Sequence, residues 1–252
     1  MNQTHPIIYT VRQIQKETHN VTSVILSGNP DEALKIRRAG QFVTLQLPAN
    51  DGWSEPHPYT LSGAPSDPFL QITAKALGPF SLRLQSVASG TQVAVSGPHG
   101  SFCRDIESHR SIVMIAGGIG ITPFLSVLRH LHHIKFDADI VLFWANNDWA
   151  DYFALDEIQA LADPLSLWTV LVCLQPASQW PSPIKDETMF LTQGYLTENV
   201  LRQHSDPNSS KVYVCGSPNM QAYVSQQLKA CGVELSSVET EQFGVFHFGL
   251  TK

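Results

Sequence analysis

Between Arg110 and Arg129 lie eighteen residues without a charge, SIVMIAGGIGITPFLSVL, and three glycines break them in the middle. Length alone would admit a membrane span. Gly117, Gly118 and Gly120, followed by Pro123, argue against one continuous helix, and the first third is β-branched while the last third has helical spacing. The run therefore reads as a buried strand, a tight turn, and a helix whose apolar face is Phe124, Leu125, Leu128 and Leu131. A strand apolar along its whole length is covered on both faces, as in a parallel α/β sheet. Thr122 fits the N-cap of the helix and Pro123 its first position, where a missing N–H is no loss. Glycines let the backbone approach a ligand, and the free N–H groups of a helix start favour negative or polar groups. The spacing is not GxGxxG, and a ligand-free strand-to-helix turn explains the motif about as well.

A second construction repeats the first. Val212-Tyr213-Val214-Cys215 is an apolar strand, Gly216 ends it, and Ser217-Pro218 starts a helix carrying Met220, Val224, Leu228 and Cys231 that Gly232 stops. Two parallel strands ending in open turns on the same edge of a sheet create the crevice where open α/β folds bind ligands. Cys215 falls in that crevice, although a buried small hydrophobe is the commoner fate of a free cysteine. Further buried strands at 140–144 and 168–173 alternate with helical stretches near 123–133, 153–162, 197–203 and 218–231. The Pro-rich stretch 175–185 reads as an exposed loop.

Before about residue 104 the period is two. Val43, Leu45 and Leu47 alternate with Thr44 and Gln46, and Leu70, Ile72 and Ala74 with Gln71, Thr73 and Lys75. With strands at 7–15, 21–27 and 57–62, a repeat at Val93 and Val95, and one helix near 79–87, six short strands suggest a small antiparallel barrel. The expected architecture is a six-stranded Greek-key barrel over residues 1–104, then a parallel Rossmann-like α/β domain over 105–252. Gly97 to Phe102 reads as a turn closing the barrel.

The barrel carries two further segments of interest. His57-Pro58-Tyr59-Thr60-Leu61-Ser62 sets an aromatic beside hydroxyls on a strand, where a ring can stack on a planar ligand and Thr60 can bond its edge. Read alone, it is an ordinary strand. Gly78-Pro79-Phe80-Ser81 opens a helix containing Arg83, a second possible phosphate seat.

Composition narrows the classes. A net charge of −6, from 22 acidic and 16 basic residues, argues against nucleic-acid binding, which needs clustered Lys and Arg. The four cysteines, Cys103, Cys173, Cys215 and Cys231, are dispersed with no CxxC, which argues against an iron–sulfur cluster or structural zinc site. His130, His132 and His133 read as the end of a surface helix rather than metal ligands. The start MNQTHPIIYT has no secretion-signal pattern, and a cytoplasmic location is expected. A hydrolase would need a GxSxG elbow that is not there.

Taken in order, the aromatic–hydroxyl strand, glycine-started helix, GPxGxF turn, GGxGxxP loop and CGxPxM loop resemble the ferredoxin–NADP reductase superfamily over nearly the whole chain. HPYTLS and AGGIGITPF are most similar to the dehydrogenase domain of ferric reductases and NADPH oxidases. Most other branches carry arginine where this chain has His57, which weakens an expected pyrophosphate contact. The resemblance implies an FAD-dependent NAD(P)H oxidoreductase. Tyr59 would stack on the isoalloxazine with Thr60 near N5, His57 toward the phosphate chain, and Ser62, Lys75, Gly78 and Ser81 holding the rest. Gly118, Gly120 and Thr122 would shape the nicotinamide and pyrophosphate site, Cys215 and Gly216 flank the hydride path, and Pro218 and Met220 lie toward the adenosine. Glu241-Gln242-Phe243 resembles the segment bringing an acid and an aromatic to the flavin face, with Phe246 and Phe248 as alternatives. Thr60, Cys215 and Phe243 are thus the catalytic candidates, and no metal is implied. NADH is favoured over NADPH because Asp148 and Asp151, with no cation, follow the strand at 140–144. The acceptor would be a redox partner protein or small molecule: a haem subunit in a membrane, an iron–sulfur protein or a ferric chelate. A non-catalytic NAD(P)- or flavin-binding regulator is the alternative.

Overall fold

The computed structural model describes residues 6–180 and 187–242. Its first half holds β1 (Ile7–Lys16), β2 (Val21–Ser27), α1 (Glu32–Lys35), β3 (Phe42–Gln46), a small hairpin of β4 (Pro48–Ala49) and β5 (Gly52–Trp53), β6 (His57–Thr60), β7 (Leu70–Lys75), α2 (Pro79–Leu84) and β8 (Gln92–His99). Six of these strands form one antiparallel sheet in the order β6-β3-β8-β1-β2-β7. A bridge between Leu61 and Ile72 brings its two ends together, so the sheet curls into a half-barrel. The inward set of the period-two pattern, including Val24, Leu26, Val43, Leu45, Ile72 and Val93, fills it.

The second half holds β9 (Ser111–Gly117), α3 (Thr122–His133), β10 (Asp139–Asn146), α4 (Leu155–Ala160), α5 (Ala162–Leu165), β11 (Leu167–Cys173), β12 (Met189–Gln193), α6 (Glu198–His204), β13 (Lys211–Gly216), α7 (Pro218–Ala230) and β14 (Glu239–Gln242). The sheet is parallel, in the order β12-β11-β10-β9-β13-β14. Along β9, Ile112, Met114 and Ala116 join the core under α3, whereas Val113 and Ile115 join the opposite core with Leu201 of α6 and Val224 and Leu228 of α7. That two-sided burial is why the strand is apolar throughout. The uncharged run is thus strand, turn and helix, and among the described residues no helix is long and apolar enough to cross a membrane.

The local expectations need four corrections. Thr122 is not an N-cap: residues Gly118–Ile121 already form a 3-10 turn, so Thr122 is helical and its hydroxyl donates to the Ile119 carbonyl (3.0 Å). Gly97 to His99 belong to β8, where His99 pairs with Phe42, so the turn starts only at Gly100. The helix at 79 ends at Leu84, and the stretch at 153–162 is two short helices, α4 and α5. α1, β12 and β14 were not foreseen.

Side chains of α3 fasten the halves together. Ser126 Oγ donates to the Gly63 carbonyl (2.7 Å), and Arg129 Nη1 to that of Ser62 (2.6 Å). Arg129 also grips Glu157 through two oxygens at 2.6 and 2.7 Å, a fork geometry that fixes orientation as well as charge. The turn after β6 is thereby pinned to the start of α4.

Candidate active site

The sheet order reverses between β9 and β13: β10, β11 and β12 follow on one side, β13 and β14 on the other. Ligands of open α/β sheets bind beyond the strand ends at such a reversal. Here three glycines let two strand ends converge. A Cβ on Gly120 would lie inside contact distance of the Cys215 carbonyl, and one on Gly216 would come 3.0 Å from Met220 Sδ and 3.3 Å from Gly117 Cα. Gly118 adopts a left-handed φ of +55°. Ser217 caps α7, its Oγ accepting from Met220 N (3.3 Å), with Pro218 at the first helical position.

Above this floor opens a cavity of about 580 Å³, walled by Gly118, Asn146, Leu174, Tyr195, Met220 and Tyr223 among others. Asn146 is buried, and its amide nitrogen has no hydrogen-bond partner. A buried donor without a geometric partner calls for an explanation, and Asn146 lines this cavity beside the Tyr152 phenol. Tyr195 and Tyr223 pack at 5.6 Å between ring centroids, an apolar wall suited to a flat heterocycle.

A smaller cavity of about 170 Å³ adjoins it, lined by His57, Tyr59, Thr60, Thr73, Ser81 and Thr122. Lys75, Leu77 and Ile119 line both. Tyr59 is half-buried, and burial pushes its phenol up to about 12, so the ring stays neutral. The His57 ring stacks on Phe80 with centroids 4.0 Å apart. Burial pulls its pKa below the ordinary value, opposed by Glu55, which leaves a neutral imidazole at pH 7. The Ser81 hydroxyl accepts from Leu77 N (2.9 Å) and Gly78 N (3.0 Å) and donates to the Gly78 carbonyl (3.0 Å). It thus closes the start of α2. Lys75 Nζ reaches Asp151 Oδ1 at 3.3 Å.

The structure brings His57, Tyr59, Thr60, Lys75, Ser81, Gly118, Thr122 and Met220 to the walls of these two cavities. Gly78, Gly120, Gly216 and Pro218 shape the backbone beside them. Ser62 is fully buried and lines neither cavity, its hydroxyl lying 2.9 Å from that of Thr73. Cys215 is also fully buried and lines neither, and burial, then Glu241, pushes its thiol well above the usual range. Phe243, Phe246 and Phe248 lie outside the described residues. Asn146, Tyr195 and Tyr223 line the larger cavity without belonging to any of the sequence motifs. The only signal for Asn146 was its place at the end of an apolar strand.

Glu241, opposite Cys215 in β14, has its carboxyl pushed to about 7 by burial and by Glu239. A carboxyl raised on folding takes up a proton that the unfolded chain has released. Stability should therefore fall as pH rises from about 4.5 to about 7. Glu241→Gln should flatten that part of the profile and raise Tm at pH 8, as measured by thermal unfolding between pH 4 and 8. An unchanged profile would contradict the assignment.

Residues 114–226 match the family described as the oxidoreductase NAD-binding domain. The flavohemoprotein of Bacillus subtilis is 23% identical over 94% of this chain and 59% of its own length. The reductase component of propane 2-monooxygenase from Mycolicibacterium goodii is 28% identical over 83% of this chain and 60% of its own. The chain thus spans about three-fifths of these relatives, at 59% and 60% of their lengths. Among solved structures, the cytochrome b5 reductase domain of Ulva prolifera nitrate reductase is similar, with a TM-score of 0.78 at 22% identity, covering 96% of this chain and 98% of that one. A ferredoxin NADP+ reductase from Neisseria gonorrhoeae, with bound FAD and NADP, gives a TM-score of 0.75 at 19% identity, covering 93% and 97%.

Proposed function

From a chain with the ferredoxin–NADP reductase-like fold, whose residues 114–226 match an oxidoreductase NAD-binding domain, we propose an FAD-dependent NAD(P)H oxidoreductase that passes electrons to a separate acceptor. One observation carries the proposal: the small aromatic- and hydroxyl-walled cavity opens beside the larger one at the strand reversal, with Lys75, Leu77 and Ile119 shared between them. In this reading residues 1–104 bind flavin and 105–252 bind the nucleotide.

The residues fit these cofactors. Tyr59 and Pro58 give a flat apolar face, and Thr60 gives a hydroxyl to the edge of an amphipathic ring. Asn146 offers its unpartnered amide to the nucleotide. A bound flavin would supply the redox chemistry, taking two electrons from reduced nicotinamide and releasing them singly or in pairs. The chain's own task is alignment and exclusion of water. Gly120 lets the two strand ends meet, Ile119 lines both cavities with an apolar side chain, and Glu241, paired opposite Cys215, has its carboxyl raised to about 7.

NADH is the preferred donor in this proposal, because among the described residues lining the larger cavity Lys75 is the one cation, and Asp151 already engages it. The acceptor would be an oxygenase, an iron–sulfur protein, a ferric chelate or a haem subunit that draws this domain to the inner face of a membrane. A non-catalytic regulator is the second reading, favoured by one observation: His57 is neutral and stacked on Phe80 rather than free to meet a phosphate.

The test is the visible spectrum of the protein reconstituted with FAD, before and after anaerobic NADH and NADPH. Flavin bands near ~370 and ~450 nm should bleach faster with NADH. Failure of both FAD and FMN to bind would overturn the reductase and leave the regulator.

A further inference from the structure

The Lys75–Asp151 contact spans the two halves of the molecule. Lys75 ends β7 of the half-barrel, and Asp151 ends the 3-10 turn Trp149–Asp151 after β10. Their side chains are 23% and 10% exposed, so the pair is largely removed from water. The carboxylate is held firmly. The next residue, Tyr152, is buried and donates from its hydroxyl to the Val172 carbonyl (2.8 Å), while its ring meets Trp149 (5.3 Å) and Trp144 (5.0 Å). The ammonium is held less firmly, through one oxygen at 3.3 Å on a flexible stem.

Among the described residues, Lys75 is the only cation and Asp151 the only carboxylate lining the larger cavity. In the smaller cavity Lys75 is the only permanent cation, since His57 is neutral at pH 7. The two charges therefore cancel at the junction of the cavities. A phosphate-bearing ligand entering there meets one cation already matched by a fixed anion.

We infer that Asp151 is an internal competitor for the Lys75 ammonium, and that its carboxylate sets the affinity of the cleft for phosphate-bearing nucleotides. The inference rests on the nucleotide site proposed above. Binding swings Lys75 from the carboxylate to the ligand's phosphates and leaves Asp151 without its counter-ion, which opposes binding because an unpaired buried charge is costly. Asp151 thereby weakens the hold on nucleotide without touching the reacting atoms.

A double-mutant cycle on the full chain tests this, with ADP-ribose as a redox-inert probe and calorimetric Kd as the readout. Asp151→Asn, close in shape and uncharged, should bind ADP-ribose ~tenfold more tightly than the parent, at the low end of what close charge pairs contribute. In a Lys75→Gln background the same change should give no gain. A thermal melt of each variant checks folding, and Asp151→Ser provides a second uncharged side chain should the Asn variant fold poorly. A gain that persists without Lys75 would mean general repulsion and would overturn the inference, as would weaker binding by Asp151→Asn. If the parent binds ADP-ribose and the cycle shows no coupling, only this inference falls. If no version binds ADP-ribose, NADH or NADPH, the proposed nucleotide site falls with it.

Discussion

Replacing Trp144 by alanine should remove about 3–5 kcal/mol of stability, the range for emptying a large aromatic site in a packed core. Trp144 is fully buried in β10, with Tyr152 and Phe153 edge-on to its ring at 5.0 and 5.3 Å. Its indole N–H donates to the Gly118 carbonyl at 2.9 Å, which ties the core directly to the glycine turn beneath the larger cavity. Alanine leaves a void and strands that carbonyl. Trp144→Phe separates the two effects: it keeps most of the packing and leaves the Gly118 carbonyl without its donor, for about 1–3 kcal/mol. The phenylalanine variant should remain folded and bind ADP-ribose several-fold more weakly, because the turn has lost its tether. Urea unfolding and calorimetry of both variants check this. A loss below about 1 kcal/mol for the alanine variant would show that the site collapses around the void.

Gly120→Ala should be the most damaging small substitution in the turn. The new methyl group would press on the Cys215 carbonyl oxygen and carbon and on Gly216 N, all of them backbone atoms. β13 cannot yield, because it is paired with β9 on one side and β14 on the other. We expect a loss of about 1–3 kcal/mol from overpacking. Forcing the two strand ends apart should also lower ADP-ribose affinity by about tenfold or more, since misplacement on the ångström scale has effects of that order. Gly118→Ala is the useful contrast. Its nearest neighbour would be Asn146 Oδ1 at 3.9 Å, so only the left-handed φ of +55° opposes it, at about 1 kcal/mol. Equal losses at the two positions would refute the argument from the Cys215 carbonyl.

These predictions rest on contacts that the linear pattern does not contain, although it contains much else. The change from period two to continuous apolar strands near residue 104 separated the half-barrel from the parallel sheet. The strands it located, β9, β10, β11 and β13, are the four central ones of that sheet. The two it missed, β12 and β14, are the two edges. Edge strands are shorter and less uniformly apolar than the central ones, as β12 (MFLTQ) and β14 (ETEQ) are, so neither carries the unbroken apolar signature. Thr122 was misassigned because a cap depends on whether the preceding turn is itself helical, which the residue types at 118–121 do not reveal.

Side-chain periodicity and turn chemistry, both local, pointed to the two architectures and to the glycine turns after β9 and β13, whereas the role of Tyr59 and Thr60 rested on the family resemblance. Only the tertiary structure decided how those pieces meet. It put Lys75 against Asp151 across 76 positions of sequence, left the Asn146 amide without a partner, and withdrew Cys215 and Ser62 from the cavities. The physical reason is that facing in or out follows from the residue and its neighbours. Which charge neutralises which, and which buried donor goes unpaired, depends on groups that become neighbours only when the sheets pack.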